Sequence, residues 1–119
     1  MLKITEAWKN RDEVINLCKL NNACVKEFKR LINAQTQEEF ENVLLNNFSW
    51  CVKNNVLEEY LPEMPNATEV NCWDCTGLKE LNLPNATKVF CNGCTGLTKL
   101  SLPNATTVFC YGCTGLKKK

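Results

Sequence analysis

The sequence predicts an α+β fold: a helical N-terminal capping region over residues 1–57, followed over residues 58–119 by a short β-solenoid of about three 19-residue rungs. Two observations lead to this prediction. The second half of the chain is a tandem repeat, and the first half has apolar residues at helical spacing. With 119 residues, the chain is long enough for one compact domain continued by repeats.

The repeat consists of three segments that align without a gap. They are PNATEVNCWDCTGLKELNL (residues 65–83), PNATKVFCNGCTGLTKLSL (84–102) and PNATTVFCYGCTGLKKK (103–119). Of the first 14 positions, ten are the same in all three copies. A fixed period of about this length is typical of solenoids, in which each unit buries its apolar side against neighbouring units.

Alternation within each copy predicts two short strands. Val-x-Cys places strands around residues 69–72, 88–91 and 107–110, and Leu-x-Leu places others around 80–83 and 99–102. The Pro-Asn and Thr-Gly pairs between them indicate turns. Asn-Ala-Thr also matches a glycosylation signal, but its place in the repeated turn favours a ladder of Asn side chains.

The motif LxxLxLPNATxVxCxxCTGL runs from Leu97, near the end of the second copy, through the third copy. It resembles the repeats of the bacterial BspA-like leucine-rich-repeat family. That resemblance implies a leucine-rich-repeat-like β-solenoid that serves as a recognition scaffold for protein partners. The period is several residues shorter than is usual there, so each rung is expected to lack a helix. The pattern NNACVKEFKRL…TQEEFENVL…SWCVKN is similar to the helical leaders of short repeat proteins in bacteria and phages.

The first half predicts amphipathic helices that cap the repeat array. Thr36 and Glu39 form a capping-box pattern, and Asn46-Asn47 ends the helix that it opens. The residues expected on buried helical faces are Val14, Leu17 and Cys18; Cys24, Val25, Phe28, Leu31 and Ile32; Phe40, Val43 and Leu44; and Phe48, Trp50 and Cys51.

The nine cysteines allow two main interpretations. Two CxxC pairs separated by fifteen residues match a zinc ribbon, with the candidate ligands Cys72, Cys75, Cys91, Cys94, Cys110 and Cys113. The 19-residue period produces the same spacing automatically, and three pairs do not divide into complete four-ligand sites. We therefore predict a buried ladder of free thiols with no metal and no cofactor. Disulfides or redox chemistry are the third interpretation.

Positions that differ between the copies predict the binding surface. Alternation directs Phe90 and Phe109 outward, opposite the inward Val and Cys. The candidate partner-binding residues are Trp73, Phe90, Phe109, Tyr111, Glu69 and Lys88. Clustered exposed aromatic side chains are typical of protein interfaces.

The last copy predicts a second kind of contact, because Lys119 stands where Leu81 and Leu100 stand in the earlier copies. Such an uncapped rung exposes a strand edge. Either the lysines at 117–119 blunt that edge, or the array continues by self-association with another molecule.

Composition excludes several classes of function. The net charge is +1 and evenly spread, so neither nucleic acid nor a membrane surface is an expected partner. The start of the sequence lacks the apolar stretch of a signal peptide, which favours the cytoplasm. The chain has no histidine and no nucleophile beside a base, so an enzyme is not expected. We expect a protein–protein interaction module; the alternatives are a small zinc-binding domain and a phage- or mobile-element-encoded inhibitor of a host protein.

Overall fold

A computed structural model of the protein describes residues 2–116. A 3₁₀ turn at Ile4–Glu6 comes first, and the helices follow: α1 (Arg11–Leu20), α2 (Val25–Ile32), α3 (Gln37–Asn46) and α4 (Phe48–Lys53). The strands come after the helices: β1 (Glu69–Asn71), β2 (Glu80–Asn82), β3 (Lys88–Phe90), β4 (Lys99–Ser101) and β5 (Thr107–Phe109). The predicted strand positions are confirmed, each strand being one residue shorter than expected.

The helices begin and end near the predicted signals. The Thr36 hydroxyl accepts the N–H of Glu39 at 3.2 Å, and the Glu39 carboxylate accepts the N–H of Gln35 at 3.3 Å. The first bond satisfies a donor that the first turn of α3 would otherwise leave free, and the second satisfies a donor just before the helix. The prediction for α2 is wrong in part, because Val25 and Ile32 are 68% and 47% exposed.

The strands pair in parallel between equivalent positions of successive copies. The order β1-β3-β5 places Val70 opposite Val89, and Val89 opposite Val108. In the second sheet, β2 pairs with β4 so that Leu81 lies opposite Leu100. Because the offset between partners equals the period, equivalent residues stack on one another, and the inward ones are identical.

The predicted leucine-rich-repeat-like β-solenoid of about three rungs is wrong. The strands form two separate small parallel sheets, one of three strands and one of two, and these do not close on themselves. Each strand is only three residues long, and turns fill the rest of the short 19-residue unit, so nothing joins the two sheets into a closed wall. The α+β class, with helices preceding strands, is what the structure has.

Ladders of side chains support the turns between the strands. The Asn85 amide donates to the Pro65 carbonyl at 2.8 Å, and the Asn104 amide donates to the Pro84 carbonyl at 2.7 Å. The interpretation of the Asn-Ala-Thr turns as an asparagine ladder is therefore confirmed for these two side chains.

Helices α3 and α4 cover the outer edge of β1. The Asn42 side chain accepts the N–H of Thr68 at 3.1 Å and donates to the Asn66 carbonyl at 3.1 Å. The Ser49 hydroxyl donates to the Trp73 carbonyl. In later copies, the preceding copy satisfies the backbone groups equivalent to the Thr68 N–H and the Trp73 carbonyl. At the first copy, the side chains of two helices satisfy these groups instead.

The interior runs without a break from the helices into the repeats. Phe40, Phe48, Val70 and Leu81 are each almost completely buried. None of the helices among residues 2–116 combines the length and the apolar character that crossing a bilayer requires.

Candidate protein-binding face

The surface that the sequence singles out combines four strand residues on one side of the β1-β3-β5 sheet with two residues, Trp73 and Tyr111, in the turns that follow β1 and β5. We call it the outer face and define it by the six predicted residues. Because Val70 and Val89 are buried, their neighbours in each strand point to the opposite side. The outer face comprises Glu69, Lys88, Phe90, Phe109, Trp73 and Tyr111.

Phe90 and Phe109 form the centre of the outer face. They are register partners on β3 and β5, and their rings stack with centroids 5.3 Å apart and planes 10° from parallel. Phe90 is half-buried, whereas Phe109 is 45% exposed. Their equivalent in the first copy is Asn71. The stacked pair therefore joins the second and third copies, and the first copy contributes an aromatic ring only through Trp73 in the turn after β1.

Trp73 and Tyr111 project from the turns that follow the strands. The N–H of Cys75 donates to the Cys72 carbonyl at 3.1 Å, closing a four-residue turn with Trp73 at its second position. The third position, Asp74, has φ 58°, in the left-handed region. Gly93 meets the same requirement at the equivalent place without steric cost, at φ 78°.

These turns leave the two rings accessible. Trp73 is 53% exposed and Tyr111 is 86% exposed. The Asn92 side chain accepts the N–H of Tyr111 at 2.7 Å, which fixes the backbone below that ring. Within residues 2–116, neither Trp73 nor Tyr111 makes a ring–ring contact with the phenylalanine pair. The structure therefore stacks two of the four aromatic rings and leaves the other two separate.

Glu69 and Lys88 add opposite charges beside the aromatic row. They are direct register partners on β1 and β3. The ion pairs in the described part of the chain join other residues: Arg30 to Glu27, Lys53 to Asp74 and Lys99 to Glu80. The outer face therefore carries one charge of each sign, a half-buried Glu69 and an exposed Lys88.

The second cysteine of each CxxC pair has a specific role in stacking the copies. The Cys94 thiol donates to the Cys72 carbonyl at 2.9 Å, and the Cys113 thiol donates to the Cys91 carbonyl at 2.9 Å. Each bond joins one copy to the copy before it. Cysteine suits this position because its side chain is small and apolar but still carries a weak donor.

Most of the thiols are buried, and burial opposes their ionisation. Burial raises the pKa of Cys18 to about 11 and that of Cys75 to about 12, with the nearby Cys94 thiol adding to the effect at Cys75. All nine cysteines are free. Two are exposed, contrary to the inward orientation that the sequence predicts: Cys110, which no later copy covers within the described residues, and Cys24, just before α2.

The six repeat cysteines are not gathered around a common point. Among residues 2–116, no three cysteine, aspartate or glutamate side chains lie where they could hold one metal ion. Two of the six thiols are directed instead at backbone carbonyls. This arrangement gives the zinc interpretation no ligand set.

A small cavity among the helices is a feature that the sequence did not indicate. Its volume is about 100 Å³, and its walls include Phe28, Leu31 and Trp50. At its rim the Asn47 amide donates to the Glu27 carboxylate at 2.9 Å, and this bond, with Arg30 nearby, lowers the pKa of Glu27. Each lining residue taken alone fits a helical core or a helical surface, so no sequence signal marks the cavity.

Comparisons with protein-family models, curated proteins and solved structures gave no match to this chain. The resemblance to the BspA-like leucine-rich-repeat family therefore stays a prediction from the repeat motif.

Proposed function

We propose that the protein is a non-enzymatic interaction module that binds a protein partner through its outer face. The observation that carries this proposal is the exposure of three aromatic side chains of the repeats: Phe109 and Tyr111 in the third copy and Trp73 in the first. Phe109, Trp73 and Tyr111 are 45%, 53% and 86% exposed. Aromatic side chains of this kind supply much of the binding energy in protein interfaces.

Rigidity of the face supports the same function. Phe90 and Phe109 are stacked on paired strands, so a partner that covers them orders few additional side-chain torsions. Binding surfaces that are already ordered pay a smaller entropic cost on association. The Glu69–Lys88 row at the margin adds charges of both signs, which fix orientation more than they add affinity.

The experiment is affinity capture with the immobilised full-length chain and matched variants. Phe90→Ser combined with Phe109→Ser removes the centre of the outer face. Leu20→Ser, which removes a 69% exposed apolar side chain from α1, is the control. A specific partner should be recovered by the parent chain and by L20S, and lost with the double variant.

Removing the phenylalanine stack also removes contacts within the sheet. Single variants Trp73→Ala and Tyr111→Ala therefore provide a second test, because both rings are outside the stack. Each should weaken capture without changing the thermal unfolding midpoint by more than a few degrees. Identical capture by the parent, the double variant and both single variants would contradict the proposed face.

A further inference from the structure

The free edge of β5 is a second surface, and it is built from backbone rather than side chains. Within residues 2–116, β5 pairs with β3 on one side only. At the equivalent edge of β3, the Thr87 carbonyl accepts from the next copy and the N–H of Cys91 donates to it. The matching groups of the last copy, the Thr106 carbonyl and the Cys110 N–H, face outward with no partner in the described chain.

The side chains at this edge are exposed, whereas in an earlier copy the equivalent side chains are buried by the copy that follows. Val108 is 38% exposed, whereas Val89 is completely buried. Cys110 is exposed, whereas Cys91 is completely buried. The edge therefore presents the same chemistry as an internal contact between copies: a strand with an apolar inner side.

Charge does not protect this edge within the described residues. The segment 101–116, SLPNATTVFCYGCTGL, contains no charged side chain. Natural edge strands usually carry charges or prolines that prevent pairing with another strand. The lysines at 117–119, which the sequence suggests as a means of blunting the edge, lie outside the described residues.

The opposite end of the array cannot receive this edge. Helix α3 packs along β1, and Asn42 already bonds to the N–H of Thr68 and the carbonyl of Asn66. Head-to-tail stacking of molecules, in which β5 of one would add beside β1 of the next, is therefore blocked. The only exposed edge in this sheet of the described chain is β5 itself.

We infer that the protein forms a two-fold symmetric dimer in which the β5 edges of two copies pair with each other in antiparallel orientation. A symmetric contact between identical edges closes after two molecules and does not extend into a filament. The inference is independent of the proposed protein partner, because it uses the backbone edge and requires no other component.

The outward groups fix the register of this pairing. The Thr107 N–H and the Phe109 carbonyl bond to the preceding copy, so the N–H and the carbonyl of Val108 between them point outward. Val108 lies opposite Val108 of the second copy, and the two exchange N–H and carbonyl hydrogen bonds. The N–H of Cys110 then donates to the carbonyl of the second copy's Thr106. Both groups in this last bond are the ones that the described chain leaves without a partner.

Disulfide trapping tests this register. In Thr106→Cys, the new thiol lies opposite Cys110 of the second copy, at a Cα separation of about 5.5 Å, which a disulfide can bridge. The matched control is Thr87→Cys, since Thr87 and Thr106 are equivalent and their hydroxyls make the same hydrogen bond to the preceding copy. Under mild oxidation by diamide, T106C should give a covalent dimer on non-reducing gels. The single variant T87C should give no more covalent dimer than the parent. The double variant T106C with Cys110→Ser should also give no more than the parent.

Sedimentation provides the second measurement on the full chain. The parent should pass from 13.5 kDa to twice that mass as its concentration rises, with no larger species. Val108→Pro removes the outward N–H at the centre of the contact and should be monomeric, whereas Val108→Ala keeps the N–H and should still dimerise. A parent that stays monomeric together with no trapped dimer in T106C would overturn the inference, as would a ladder of larger oligomers.

Discussion

The Asn42 side chain accepts the backbone N–H of Thr68 at 3.1 Å. The equivalent N–H in the next copy, that of Thr87, donates to the Thr68 carbonyl at 2.9 Å. A helical side chain thus substitutes for the carbonyl of a missing preceding copy. This contact begins the ladder that continues through the repeats and connects the helical half of the chain to its sheet.

Replacing Asn42 by Ala should destabilise the protein more than removing an asparagine that bonds only within its own helix. The variant removes the hydrogen bonds to the Thr68 N–H and the Asn66 carbonyl, which are exposed groups, at a cost of about 0.5–1.5 kcal/mol for each bond. Asn54→Ala is the control, since the Asn54 amide donates locally to the Trp50 carbonyl. Urea unfolding of both variants gives the comparison. Equal loss of stability in the two would show that Asn42 has no special role in joining the halves.

Gly96→Ala should be more destabilising than Gly77→Ala, although the two glycines are equivalent in the repeat. A Cβ on Gly96 would clash with the backbone carbonyl of Thr76 in the preceding copy. A Cβ on Gly77 would meet only the Glu59 carboxylate, which can rotate away. Overpacking against fixed backbone costs about 1–3 kcal/mol. Thermal unfolding should therefore give a clearly lower midpoint for G96A, and the reverse order would contradict the close stacking of the copies.

Cys94→Ala should cost about 1 kcal/mol more than Cys75→Ala. Both changes remove a buried thiol of the same size, but only Cys94 donates a hydrogen bond to the carbonyl of the preceding copy, that of Cys72. Denaturant unfolding under reducing conditions measures the difference. Equal destabilisation would mean that these thiols act only by filling space.

The free energy of unfolding should fall as the pH rises above the ordinary pKa of a thiol, about 8.5. Burial raises the pKa of Cys18 to about 11 and that of Cys75 to about 12 in the folded chain. The unfolded chain therefore loses these protons first. Their stabilising contribution is complete below about pH 8.5 and is lost as the pH rises towards the folded values, at about 1.4 kcal/mol per pH unit for each thiol.

Urea unfolding at about pH 8 and about pH 10, with reductant present, measures this dependence. Cys75→Ala should reduce the slope, because one buried thiol no longer titrates. A free energy of unfolding that is unchanged between the two values would show that the thiols are not buried as described.

The sequence predicted the local elements well because their signals are local. The Val-x-Cys alternation placed β1, β3 and β5 within one residue, and Thr36 with Glu39 marked the start of α3. The equal spacing of the copies also predicted that equivalent residues stack. Periodicity did not show whether the sheets close, because closure depends on how much chain is left between strands of only three residues.

Burial was less predictable, because it depends on neighbours that lie outside the pattern. Val25 and Ile32 follow the helical period, yet the structure leaves them exposed. Cys110 has the same sequence context as Cys91, and only the presence of a following copy distinguishes them. Nothing in the sequence marks Asn42 or Ser49, because a polar side chain on a helix usually faces solvent. Of the candidate site, the sequence supplied the six residues but not the phenylalanine stack, whose geometry required the register between the strands.

The most direct test of the proposed function is the dissociation constant of a captured and purified partner for the parent chain, for L20S and for Phe90→Ser combined with Phe109→Ser. Isothermal titration calorimetry of the three proteins gives the values. If the outer face binds the partner, L20S matches the parent and the double variant raises Kd at least about tenfold, equivalent to about 1.4 kcal/mol. An unchanged Kd for a folded double variant would show that the partner binds elsewhere.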